Sequence, residues 1–191
     1  MAGFTAVGYF LLSLLFTIVI FSLWLRIAIR FFRISAINPF CQLIHTITDP
    51  LVKPLHWIVK KPLQPGQKYD WIALSALIIV EFLKIISLSL LMYHAIIPFL
   101  FIFLYILVDL IIQPCEILFF AILIRVIMSY VNPKWQHPLS DFLRIITTPI
   151  LRLGRIIVPD ISGFDFSPFI IMVILKIITL FLSASLPWKL L

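Results

Sequence analysis

Long apolar runs alternate along the chain with two shorter segments that mix apolar, basic and proline residues. The apolar runs extend from about Val7 to Ile29, from Trp71 to Met92, up to about Val131, and from Ser167 to about Leu186. Each contains the roughly 20 residues that an α-helix needs to cross the hydrocarbon core of a bilayer. The pattern therefore predicts four transmembrane helices.

The apolar stretch from Ala95 to Val131 is too long for one upright span. As a single straight helix it would reach about 55 Å, against a hydrocarbon core of about 30 Å. Pro98 and Pro114 are the candidate positions for a bend. Two interpretations follow: a short interfacial or re-entrant piece before the third span, or two complete spans that meet near Pro114.

The two mixed segments are copies of each other. An offset of 99 residues places Asn38 to Lys60 over His137 to Pro159 without a gap. The matched pairs include Arg26 with Arg125, Pro39 with Pro138, Thr48 with Thr147 and Pro50 with Pro149. After a four-residue slip, Tyr69-Asp70 falls on Phe164-Asp165. The expected fold is therefore an all-α membrane protein built from a duplicated helix, interfacial helix and helix unit, with repeats at residues 1–92 and 93–191.

Each mixed segment predicts a short interfacial helix of about ten residues. Asn38 is a good N-cap, and Pro39 suits the first helical position. Helical spacing predicts one apolar face in each copy, and Pro50 and Pro149 are expected to stop or kink the helix. The predicted faces are Phe40, Leu43, Ile44 and Ile47 in the first copy, and Leu139, Phe142, Leu143 and Ile146 in the second.

Composition and charge agree with a membrane protein and orient it. Hydrophobic residues make up 63% of the chain, charged residues 12%, and the mean hydropathy is +1.17. Of the 15 Lys and Arg residues, seven lie between Arg26 and Lys68 and five between Arg125 and Arg155. Short basic loops stay in the cytoplasm, so loops 30–70 and 132–165 are both expected there. An even number of crossings must then separate them, which favours four spans over five and places both termini outside.

Ionisable residues inside the apolar runs are the candidates for a polar function within the membrane, because each is costly there. Two interpretations remain open: ion pairs that fix the packing of the spans, or an ion path. The intramembrane polar residues are Glu81, Lys84, Asp109, Glu116 and Lys176.

The sequence contains no enzyme signature such as GxSxG, HExxH, a P-loop or GxGxxG. The four histidines and the widely separated Cys41 and Cys115 have no spacing that predicts a metal or haem site. The basic loops are short and poor in aromatic residues, which argues against nucleic-acid binding. A protein that is not an enzyme and has no cofactor is expected.

The second repeat resembles the YggT family, whose members typically carry two copies of this membrane unit. It has an asparagine-proline pair, spaced prolines, a threonine, a basic pair and a DxSP box. The residues that match this pattern are Arg125, Asn132, Pro133, Pro138, Thr147, Pro149, Arg152, Arg155, Pro159, Asp165, Ser167 and Pro168. The first repeat departs from the pattern, since it has Lys53 and His56 at the basic pair and retains only Asp70 of the box.

This resemblance implies a multi-pass protein of the bacterial inner membrane with links to osmotic stress or to the assembly of membrane complexes. The favoured function is a scaffold or assembly and stress-response factor that binds anionic lipid or membrane and division-related proteins. Another copy of the chain is a further candidate partner. The candidate binding residues are Lys53, His56, Arg144, Arg152 and Arg155. The alternative is a component or accessory of a K⁺ or H⁺ channel or transporter.

Overall fold

The computed structural model describes residues 2–35, 38–59, 68–131, 137–157 and 165–187. All regular secondary structure over these residues is helical, and turns and short irregular segments join the helices. The six helices, in chain order, are α1 (Ala2–Phe31), α2 (Pro39–Val59), α3 (Trp71–Tyr93), α4 (Phe99–Val131), α5 (Pro138–Ile157) and α6 (Ser167–Ala184).

Four of these helices, α1, α3, α4 and α6, are long and apolar enough to cross a membrane. Their ends agree with the apolar runs in the sequence: α3 starts at Trp71, α4 ends at Val131 and α6 starts at Ser167. The expected all-α fold with four spans is confirmed, and the chain is a multi-pass membrane protein.

The stretch before the third span is part of one helix. α4 runs through Pro114 for 33 residues, which corresponds to about 50 Å. Proline removes one backbone hydrogen bond from a helix interior, but apolar side chains continue on both sides of it. The re-entrant or bent piece predicted here is not confirmed.

The two mixed segments also form longer helices than expected. α2 has 21 residues and continues through Pro50 and Pro54, and α5 has 20 residues and continues through Pro149. The expected length of about ten residues was therefore wrong. A proline inside a helix costs about 3 kcal/mol, but Val52 and Leu151, which follow the prolines, are both buried. Their burial favours continuing the helix past the proline.

The described chain divides into two compact units. In the first, which ends at Asp109, helices α1, α2 and α3 pack on one another. The second extends from Leu110 to Pro187, and its core joins Ile122 of α4, Leu151 of α5 and two residues of α6, Ile171 and Leu175. The predicted repeat boundary between residues 92 and 93 describes the sequence duplication and stays a prediction.

Candidate functional site

Helix α5 presents three different faces along its length. One face is buried and carries Phe142, Leu143, Ile146, Thr147 and Leu151. The next face is exposed and basic, with Arg144, Arg152 and Arg155. The third face is exposed and apolar, with Ile145, Leu153 and Ile156 at exposed fractions of 41%, 59% and 79%. A basic surface therefore lies directly beside an uncovered apolar surface; we call this pair of faces of α5 the basic-apolar surface.

Helix α2 repeats this arrangement with fewer basic residues. Its buried face carries Cys41, Ile44, Thr48 and Val52, and its exposed apolar face carries Leu43, Ile47, Leu51 and Trp57. Lys53 is exposed and His56 is half-buried.

The predicted apolar face of α2 is divided between buried and exposed residues, since Ile44 is buried. Leu43 and Ile47 are exposed, whereas Cys41 and Thr48 take the buried positions. In α5, three residues of the predicted apolar face, Phe142, Leu143 and Ile146, are all buried. A helix with apolar residues around more than half of its circumference can pack through different arcs, and only the neighbouring helices select one of them.

One basic side chain of α2 and one of α5 form ion pairs with carboxylates. The Lys53 ammonium lies 3.1 Å from the Asp49 carboxylate, and the Arg155 guanidinium lies 2.6 Å from Asp165. Burial raises the pKa of Asp165, but hydrogen bonds from Ser167 and Arg155 outweigh it and leave that pKa below its usual range. Arg144 and Arg152 are exposed in the same helix as Arg155.

An arginine-threonine hydrogen bond occurs in both repeats and was not predicted. The Arg26 guanidinium donates to Thr48 Oγ1 at 2.8 Å, and that of Arg125 donates to Thr147 Oγ1 at 2.6 Å. Each bond joins a membrane-spanning helix to the following basic helix. The signal was present in the sequence, because both residues of each pair occupy equivalent positions in the two copies.

The two copies surround this bond differently. Arg26 also lies 2.8 Å from Asp49 and 3.7 Å from Asp70, and its hydrogen bond to Asp49 lowers the pKa of that carboxyl. Arg125 instead has the Thr148 hydroxyl at 3.3 Å. The arginine of the first repeat therefore has carboxylate partners in addition to its threonine, whereas the described side-chain partners of Arg125 are both neutral hydroxyls.

Side chains at the starts of α2, α3 and α6 accept hydrogen bonds from backbone N–H groups of the first helical turn. Asn38 Oδ1 accepts from the backbone N–H of Phe40 at 2.9 Å, as an N-cap should. Asp70 accepts from the N–H of Ala73 and Asp165 from the N–H of Ser167, both at 3.0 Å. The aspartate and Ser167 of the DxSP box thus organise the start of α6.

Most of the remaining family-motif residues lie at the starts or in the interiors of helices. Pro138 starts α5, Pro149 lies inside it and Pro168 lies in the first turn of α6. Asn132, Pro133 and Pro159 lie outside the described residues. Gly154 lies where α5 packs closely on α6, because an added Cβ would lie 2.8 Å from Ile171 and 3.1 Å from the Ser167 side chain.

The intramembrane charges divide into a buried and an exposed group. Lys84 of α3 donates to Asp109 of α4 and lies 3.5 Å from Glu81, and all three are buried. Glu116 and Lys176 are exposed, and the Lys176 ammonium lies 5.9 Å from the centre of the Phe119 ring. In the described part of the chain, no group of three or more His, Cys, Asp or Glu residues could hold a metal ion.

These features define a class of protein: a multi-pass helical membrane protein in which a spanning helix, a basic helix and a second spanning helix occur twice. The sequence profile of the CCB3/YggT family matches residues 5–91 and 98–186. The chain belongs to this family, and the predicted resemblance is confirmed.

Relatives of similar length support the assignment. The chain is 30% identical over 173 residues to the uncharacterized protein YggT of Escherichia coli K12, covering 90% of this chain and 86% of the relative. It is 26% identical over 188 residues to an uncharacterized protein of Pseudomonas aeruginosa, covering 97% and 93%. A protein encoded in the proC 3' region of Vibrio alginolyticus is 30% identical over 165 residues, with 86% of each chain covered. No solved structure matches the chain.

Proposed function

We propose that this protein is a non-enzymatic membrane scaffold, acting in assembly or stress response, that binds anionic lipid and membrane or division-related proteins through α2 and α5. The observation that carries the proposal is the basic-apolar surface of α5, where Arg144 and Arg152 lie beside Ile145, Leu153 and Ile156. No enzymatic family is indicated by the relatives.

The physical basis is the way in which amphipathic helices bind at a membrane interface. Exposed apolar side chains enter the boundary between headgroups and acyl chains, and each neighbouring Lys or Arg adds about 1 kcal/mol beside anionic lipid. Trp57, which is 85% exposed on α2, is a residue type enriched at this depth. The helices α2 and α5 therefore offer both components of interfacial binding while their third face packs on the spans.

The proposed location is the bacterial inner membrane, with both basic loops in the cytoplasm and both termini outside. The excess of Lys and Arg in the two loops supports this orientation. Reporter tags at each end test it. A cytoplasmic reporter that becomes active at either terminus contradicts the proposed topology.

Lipid binding can be tested by charge reversal on the exposed face. The double variant Arg144→Glu, Arg152→Glu is purified beside an Arg33→Glu, Lys68→Glu control, in which two exposed basic residues outside α2 and α5 are reversed. We expect binding of fluorescent phosphatidylglycerol to fall several-fold in the first variant and to stay near the native level in the control. Equal binding by the native protein and the α5 variant contradicts the proposal.

A second candidate function, as a component of an ion channel or transporter, is favoured by the buried cluster of Glu81, Lys84 and Asp109. It predicts that purified protein in liposomes passes K⁺ or H⁺ and that Glu81→Gln alters the flux. Flux no greater than that of empty vesicles eliminates this candidate and leaves the scaffold proposal unaffected.

A further inference from the structure

Arg125, near the end of α4, has neutral hydrogen-bond partners in the described part of the chain. Its Nη1 donates to Thr147 Oγ1 at 2.6 Å and to Thr148 Oγ1 at 3.3 Å. Both bonds come from the same nitrogen, whereas a guanidinium carries five N–H donors in a planar fork. The edge formed by Nε and Nη2 makes no hydrogen bond to the described residues, and it has the geometry that binds a carboxylate or phosphate through two parallel bonds.

The equivalent arginine of the first repeat is neutralised by carboxylates of the protein itself. Arg26 Nη1 lies 2.8 Å from Asp49, and Arg26 Nε lies 3.7 Å from Asp70. The offset of 99 residues aligns Asp49 with Thr148, so a neutral hydroxyl replaces the closer carboxylate in the second repeat. The first repeat therefore shows which group this arginine accepts beside its threonine, and that group is an anion.

The carboxylate that aligns with Asp70 has another partner in the second repeat. It belongs to Asp165, which accepts from Nε of Arg155 at 3.0 Å and from its Nη2 at 2.6 Å. The first repeat has His56 at the position of Arg155. Asp165 acts on Arg125 only through its electrostatic field, and no described carboxylate lies within ion-pair distance of Arg125.

Neighbouring charges and partial exposure make Arg125 accessible to an external anion. Arg144 and Arg155 both lie within electrostatic range of Arg125. Arg144 is exposed and precedes Thr148 by one helical turn, on the same side of α5. Arg125 is itself half-buried, whereas Arg26 is buried with an exposed fraction of 6%. The arginine without a carboxylate is therefore the one that a ligand reaches.

The depth of Arg125 suits the phosphate level of a bilayer. α4 is about 50 Å long and exceeds the hydrocarbon core of about 30 Å, so its last turns extend beyond the acyl chains. Arg125 lies about 9 Å before the end of α4 at Val131. The apolar side chains that follow Arg144 on α5 and precede Arg125 on α4, Ile145 and Ile124, are 41% and 42% exposed. A phosphate attached to acyl chains fits this combination of charge and apolar surface.

We infer that Arg125, with Arg144 beside it, forms a site for the phosphate group of an anionic phospholipid where α4 meets α5. The phosphate takes the position that the Asp49 carboxylate fills in the first repeat. The Nε and Nη2 edge of Arg125 donates to two phosphate oxygens, and Arg144 adds electrostatic attraction. The inference rests on the proposed function, because it gives the anionic lipid a defined position, and it predicts one such site in the second repeat and none in the first.

Returning the missing carboxylate to the second repeat tests the site. Thr148→Asp copies Asp49 and should pair with Arg125, so that the fold is kept while the phosphate position is filled. Native mass spectrometry of the full-length protein in detergent with added phosphatidylglycerol measures how many lipids are retained. The native protein should retain one tightly bound lipid, and Thr148→Asp should weaken this retention by about tenfold.

Control variants separate the effect of the added charge from its position and size. Thr148→Asn has nearly the size of the aspartate variant without its charge and should reduce retention less. Ser183→Asp adds the same charge to an exposed residue about 24 Å along α6 from Ser167 and should leave retention unchanged. Arg125→Gln removes the guanidinium and should weaken retention as Thr148→Asp does. Far-UV circular dichroism checks folding, and Arg125→Gln decides the inference if Thr148→Asp does not fold.

Two further ligands identify the source of the phosphate with the native protein alone. Phosphatidylcholine carries a phosphodiester beside a choline cation, which Arg144 repels, so it should be retained several-fold less than phosphatidylglycerol. An excess of inorganic phosphate should not displace phosphatidylglycerol, because it lacks acyl chains. Equal retention of the two lipids, or displacement by inorganic phosphate, overturns the assignment to an anionic phospholipid.

The outcomes distinguish failure of this site from failure of the proposed function. Native retention in Thr148→Asp, together with loss of phosphatidylglycerol binding in Arg144→Glu, Arg152→Glu, overturns the site and leaves the scaffold proposal standing. Native behaviour of both variants contradicts both proposals. A second tightly bound lipid that Arg26→Gln removes would overturn the predicted difference between the repeats.

Discussion

Replacing Thr147 by valine should destabilise the protein more than the equivalent replacement of Thr48. Valine keeps the branched shape of threonine and removes the hydroxyl that accepts from the arginine. In the second repeat this hydroxyl lies 2.6 Å from the Arg125 guanidinium, and the neutral Thr148 hydroxyl is farther away at 3.3 Å. In the first repeat, Arg26 keeps the Asp49 carboxylate at 2.8 Å after the change.

The magnitudes follow from the type of hydrogen bond that is lost. A bond from a charged group is worth about 1.5–3 kcal/mol, and this applies to Thr147. For Thr48 we expect the smaller value of about 0.5–1.5 kcal/mol, because a carboxylate continues to satisfy the same guanidinium nitrogen. At about 2–4 °C per kcal/mol for a chain of this size, Thr147→Val should lower Tm by about 3–12 °C and Thr48→Val by about 1–6 °C.

Thermal unfolding in nanodiscs, followed by far-UV circular dichroism, measures both variants under the same conditions. Thr147→Ser is the control, because it keeps the hydroxyl and loses one methyl group, worth about 0.8 kcal/mol. Arg125→Met should make the Thr147→Val change nearly neutral if the two side chains act as a pair. A decrease of Tm for Thr48→Val that equals or exceeds that for Thr147→Val refutes the reasoning.

Three further predictions concern packing and pH. Gly154→Ala should destabilise the protein by about 1–3 kcal/mol through overpacking, offset by up to about 1 kcal/mol of helix propensity. The control Gly8→Ala should not destabilise it, because the added Cβ makes only an ordinary van der Waals contact. Denaturant unfolding measures both variants, and equal effects would contradict the close packing at Gly154. Because the pKa of Asp165 is lowered, its pairing with Arg155 stabilises the fold at pH values above the usual carboxyl pKa of 3.8, and this stabilisation is lost as the pH falls through the lowered pKa. Asp165→Asn should flatten the acidic part of a curve of Tm against pH. An unchanged curve would contradict the stabilising role of the pair. Burial and, to a smaller extent, the positive charge of Arg26 lower the pKa of His45, so the stability of the fold should fall as the pH drops below the usual histidine pKa of 6.5. His45→Gln should weaken this pH dependence. NMR titration of the imidazole should give a midpoint below 6.5, and a midpoint at or above 6.5 would refute the expectation.

The spans could be predicted from the sequence because their signal is local. A run of apolar residues long enough to cross a bilayer has to be helical there, since no water is present to satisfy exposed backbone groups. The predicted starts at Trp71 and Ser167 and the end at Val131 agree with α3, α6 and α4. The duplication could also be recognised from the sequence, because aligning the two copies pairs Arg26 with Arg125 and Thr48 with Thr147.

The lengths of the basic helices could not be predicted in the same way. Pro50 and Pro149 are local signals for a helix end, yet α2 and α5 continue past them. The energy that favours continuation comes from burying Val52 and Leu151 against other helices, which no window of sequence contains.

The sequence by itself determined the class of protein, the four spans, the duplication and the residue types of the basic segments. Only the tertiary structure decided which arc of α2 is buried, that Asp109 joins Glu81 and Lys84, and that Arg26 and Arg125 bond to the following helix. The physical reason is that membrane insertion depends on the composition of one segment, whereas side-chain pairing depends on distances between segments far apart in the chain. Lys84 and Asp109 are 25 residues apart in sequence, and helix packing alone brings their charges into contact.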